Sequence, residues 1–161
     1  MKRTFGVPLI VLIAVAVIPF QTSAQPDVYL AINECYKHLF NLHKDMLAIG
    51  KYGNKNRTID IDSLEAISEV ADVLDHCEEH LSHVLDLLQI KYVIVTNTNE
   101  RKQISDLIHL QSGSLAAKDF DLQIDRINSQ IARTKNQSIV SLFSQSKVEI
   151  RKVQELLIHI E

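Results

Sequence analysis

Residues 67–88 read ISEVADVLDHCEEHLSHVLDLL, and the apolar positions in them decide the fold class. Ile67, Val70, Leu74, Cys77, Leu81, Val84 and Leu88 follow at steps of 3, 4, 3, 4, 3 and 4. Such steps keep side chains on one stripe of an α-helix, as in a bundle core or a coiled-coil seam. Upstream, Val28, Ile32, Cys35, Leu39, Leu42, Met46 and Ile49 follow at steps of 4, 3, 4, 3, 4 and 3. Tyr29, Tyr36, Phe40 and Leu47 add a second apolar strip beside that seam, so the buried face is broad, as a multi-helix bundle needs.

Between the two seams lies GKYGNKNRT, residues 50–58. Its glycines and asparagines favour turns, and Gly50 suits the left-handed end of a helix. Asp62-Ser-Leu-Glu65 reads as an aspartate form of the capping box. The expectation is a helix from Asp27 to about Ile49, a loop, and a second helix from Asp62–Ser63 onward. Downstream, LLQIKYVIV is apolar nearly all round and β-branched, which leaves a strand open. No turn signal separates it from the second helix, so a buried continuation of that helix is preferred. Asn97-Thr-Asn-Glu100 resembles another cap, and Ser112-Gly-Ser114 reads as an end or kink. Phe120, Ile124, Ile127 and Ile131 begin a new stripe, and a break near residues 134–138 precedes the stripe from Ile139 to Ile160.

Short connections make sequential helices antiparallel neighbours. The sequence thus predicts an all-α, up-down antiparallel bundle of about four helices, with residues 25–161 as a single domain. Glycine (4) and proline (3) are scarce, which favours long helices over many short strands.

Residues 1–24 carry a different signal. Met1-Lys-Arg3 is basic, residues 7–18 are almost continuously apolar, and Thr22-Ser23-Ala24 offers small residues for cleavage. That is the pattern of a secretory leader, and its apolar run is too short for a transmembrane span. The expectation is an exported protein, periplasmic or extracellular, with no stable membrane span after cleavage. Without Lys2 and Arg3 the chain keeps 15 basic against 20 acidic residues. It has no basic stripe, which argues against nucleic acid as a partner.

In an exported chain, Cys35 and Cys77 invite pairing. Both occupy seam positions, and each lies 14 residues from the expected hairpin loop (35 to 49, 63 to 77). That puts both roughly 21 Å from the turn at 1.5 Å per residue. A Cys35–Cys77 disulfide linking the first two helices is therefore expected.

His76, Glu79, His80 and His83 stand at offsets 0, 3, 4 and 7 on one side of the second helix. The His-x3-His spacing beside a carboxylate matches a helical Zn²⁺ or Cu²⁺ site. The same residues also suit a solvated outer face, and that is the commoner use of such a pattern. His76-Cys-Glu-Glu79-His80 fits the H-x-x-E-H string of inverted zinc peptidases, but five residues with no third ligand carry no such assignment. Asn56-Arg-Thr58 and Asn136-Gln-Ser138 fit the glycosylation acceptor pattern. No nucleophile elbow, phosphate loop or paired-acid motif stands out. The leading expectation is a non-enzymatic protein that acts by binding another protein or by self-association. The alternative is an exported metal-binding protein that uses the histidine face. An enzyme with dispersed catalytic residues is the third and weakest reading.

Overall fold

The computed structural model describes residues 25–160, so the expected leader lies outside the described residues. Among the described residues there are five α-helices, two π-helical turns and no strand. α1 spans Gln25–Asn56 and α2 spans Ile61–Gln89, which a π turn at Ile90–Ile94 prolongs. α3 (Thr98–Ser114) passes through a second π turn, Leu115–Asp119, directly into α4 (Phe120–Arg133). α5 (Gln137–Ile158) completes the chain. The turns divide it into four rods, the third being α3 and α4 end to end.

α1, α2, α4 and α5 form a ring of neighbours in that order, and polar pairs between them give the directions. Glu69 meets Arg126 while His76 meets Asp119, so α4 runs antiparallel to α2. Asn128 meets Lys147 while Asp121 meets Gln154, so α5 runs antiparallel to α4. The predicted stripes face inward. Ile32, Leu39 and Met46 of α1 and Val70, Leu74, Leu81 and Val84 of α2 are fully buried with Phe120, Ile127, Phe143 and Ile150. Fully burying a side chain of this size contributes about 1.5–3 kcal/mol.

Several boundaries differ from the sequence expectation, for physical reasons. α1 does not end at Ile49 but continues through Gly50 and Gly53 to Asn56. Neither glycine has positive φ; the left-handed residue is Arg57, at φ 52°. The glycines serve close packing instead. A Cβ on Gly50 would stand 3.2 Å from Ile67, and one on Gly53 would collide with Ile59. α2 accordingly starts earlier, and its cap is Asp60 rather than Asp62. Asp60 accepts from the Ser63 N–H at 2.9 Å, and this bond holds its carboxyl below the usual range. The LLQIKYVIV stretch is helical up to Ile94, but it is buried only in part. Leu88 and Lys91 are inside, whereas Val93 and Ile94 face out as the rod leaves the ring.

The expected disulfide is the main correction: Cys35 and Cys77 are both buried free thiols, too far apart to bond. The longer α1 changes the register of the hairpin. His43 faces Glu78 and Gly50 faces Ile67, so Cys35 stands level with about Val84 and Cys77 with about Leu42. At 1.5 Å per residue the two cysteines are displaced by about 10 Å along the helix axes, more than a disulfide spans. They also lean to different neighbours. Cys35 senses Glu149 and Lys152 of α5, and Cys77 senses Asp119 and Arg126 beside α4.

Candidate functional site

The segment 76–83 divides its residues between two sides of α2. Cys77 is fully buried, and burial pushes its thiol far up, which makes it a poor nucleophile. Glu78 is buried as well and points to α1, where the His43 Nδ1–H donates to its Oε1 at 3.0 Å. Desolvation raises the Glu78 carboxyl above its ordinary value, and His43 offsets this only in part. Neither feature is apparent from the seam alone, because Glu78 sits at its margin.

On the opposite side, His76 and His80 are half-buried and one helical turn apart, their ring centroids 4.4 Å from each other. The third member of this group lies 43 residues away in sequence: the His76 Nε2–H donates to Asp119 Oδ2 at 2.9 Å. One donor atom from each of His76, His80 and Asp119 lies within 4.8 Å of the others. Gln123 Nε2 donates to the other carboxylate oxygen, Oδ1, at 3.5 Å, and Arg126 Nη1 holds Gln123 Oε1 at 3.0 Å. Asp119 is therefore oriented from α4 with one oxygen turned toward the histidines.

The other two residues of the predicted histidine face do not join. Glu79 is exposed and outside the group. His83 is exposed, its ring 6.5 Å from that of His80. Asp119 could not be read from the local pattern. It closes the π turn between α3 and α4, and only the packing of that turn against α2 brings it to His76.

Two surface depressions lie elsewhere among the described residues. The larger, about 480 Å³, lies between α1 and α5, with Ser141, Ser144, Gln145 and Asn41 beside Leu42 and Val148. Glu149 in its wall has a buried Oε2 without a hydrogen bond; His38 Nδ1 is 3.6 Å away. The smaller, about 240 Å³, lies between α3 and the end of α5, where Ala116, Leu157, Ile158 and Ile160 line it with His109 and Ser112. Gly113 stands in its wall, and a Cβ there would meet nothing within 4 Å. Leu110, one turn earlier, is 74% exposed, and Ile158 is 65% exposed. No helix among the described residues is long and apolar enough to cross a membrane.

Comparison of the chain with protein-family models, with curated proteins and with solved structures finds no match in any of the three.

Proposed function

We propose that this is an exported, non-enzymatic helical-bundle protein that acts by binding another protein, and that the α3–α5 groove is where it does so. The observation that carries the reading is the state of α3. It is an ordered helix of 17 residues in which only Ile108 and Ser112 are buried, while Leu107 and Leu110 stand in solvent. The end of the same helix walls a groove through His109, Ser112 and Gly113, with Leu157, Ile158 and Ile160 opposite. Exposed apolar side chains such as Ile158 at a concave surface are a usual mark of a protein-binding site, and a helix laid in a groove is a common form of such recognition. The expected occupant is an amphipathic helix that presents an apolar ridge. The exported location rests on the pattern of residues 1–24 alone.

The test is capture from the native compartment with wild type and with a Leu110→Asp/Ile158→Asp double variant. A control variant, Leu47→Asp, alters an exposed leucine of α1 away from the groove. The proposal expects a partner held by wild type and by the control and lost by the double variant. Light scattering shows whether that partner is a second copy of the chain. Equal capture by all three proteins would refute the groove.

A further inference from the structure

We propose that His76, His80 and Asp119 form a binding site for a divalent transition metal of the zinc or copper class, which clips α2 to the π turn ahead of α4. The site is separate from the α3–α5 groove and does not depend on it.

Two neutral imidazoles and one carboxylate are a donor set suited to Zn²⁺ or Cu²⁺ and poorly suited to Mg²⁺ or Ca²⁺, which take oxygen ligands. The two imidazoles are at i and i+4 of one helix, so they reach the same point in space without backbone change. The carboxylate comes from a different rod, which a helix-surface chelate lacks. The donor atoms lie within 4.8 Å of one another. A tetrahedral ion with bonds of about 2.0–2.2 Å sets its donors about 3.4 Å apart, so the widest pair closes by roughly 1.4 Å and the His76–Asp119 pair, at 2.9 Å, opens slightly, by side-chain rotation. On binding, the His76 proton moves from Nε2 to Nδ1 through solvent exchange, and the metal takes its place between Nε2 and Asp119 Oδ2. Gln123 fixes the remaining oxygen of Asp119, the kind of outer support that orients metal-binding carboxylates. His76 and Asp119 keep 36% and 27% of their side-chain surface exposed, so the ion has access and a fourth position is open to water. Cys77 is adjacent in sequence but fully buried, which excludes it as a ligand.

The test is calorimetric titration of the protein with zinc chloride and separately with copper sulfate, with magnesium chloride as the control. The site predicts one ion per chain. His80→Ala and Asp119→Asn should each weaken binding by at least about tenfold, and His83→Ala and Glu79→Gln should leave it unchanged. His80 has no hydrogen bond among those recorded for the described residues, so His80→Ala tests the site even if Asp119→Asn impairs folding. Zinc should also raise the unfolding temperature of wild type and not that of His80→Ala. Absence of binding by wild type would overturn the proposal. So would full retention in a folded Asp119→Asn together with loss in His83→Ala, because the ligands would then be the helix histidines alone.

Discussion

α3 and α4 are halves of one continuous rod, yet the rest of the molecule holds them very differently. α4 places Phe120, Ile124 and Ile127 in the ring formed with α1, α2 and α5. α3 extends past that ring and buries only Ile108 and Ser112. Between them, the π turn Leu115–Asp119 widens the backbone by one residue, and the Phe120 N–H bonds to Leu115 O. That extra residue lets each half keep its own apolar face without breaking the rod. It also sets Asp119 at the boundary, against His76. The comparison teaches that the packed core and the available surface of this protein are consecutive parts of the same helix.

The largest effect should come from the core half. Phe120→Ala should cost about 3–5 kcal/mol, as for other fully buried aromatic truncations, seen as a loss across the whole denaturant transition. Ile108 is equally buried, but in a helix that buries little else. Ile108→Ala should cost about 2 kcal/mol, the low end for such truncations. Equal costs at the two positions would break the comparison. The loop after α4 gives a smaller effect. Asn136 caps α5 by accepting from the Ser138 and Ile139 N–H groups, and Asn136→Ala should cost about 1 kcal/mol.

A pH dependence sharpens the contrast on the ring side. The folded Glu78 carboxyl titrates above its ordinary value of 4.5 because of burial. Between the ordinary and the raised value the folded state holds more protons than the unfolded state, so stability falls as pH rises through that window. Denaturant unfolding from pH 4 to 7 should show this slope in wild type and a flatter one in Glu78→Gln. The smallest effect belongs to the exposed half. Leu110→Ser should stay within about 0.5 kcal/mol of wild type, while its effect on partner capture is large.

Helices and inward faces were legible in the sequence because burial repeats with the helical period. Leu74, Leu81, Ile127 and Phe143 all lie where the stripes put them. Residues 50–58 misled because glycine has two uses. Here Gly50 makes room for Ile67 of α2 and Gly53 for Ile59 of the connection, and the turn falls to Arg57 and its neighbours. That misplaced end shifted the register and with it the Cys35–Cys77 pairing. Of the histidine face, His76 and His80 were legible from their i, i+4 spacing. Asp119 was not, since nothing local ties a residue to a partner 43 positions away.

Native-state hydrogen exchange across residues 98–133, with and without zinc, tests most directly the claim that the π turn divides this rod and anchors the metal site. The account predicts that α3 amides exchange by local opening well before those of α4. It also predicts that zinc slows exchange around residues 115–120 and 76–84 in wild type but not in His80→Ala. Uniform exchange along the rod, indifferent to zinc, would contradict it.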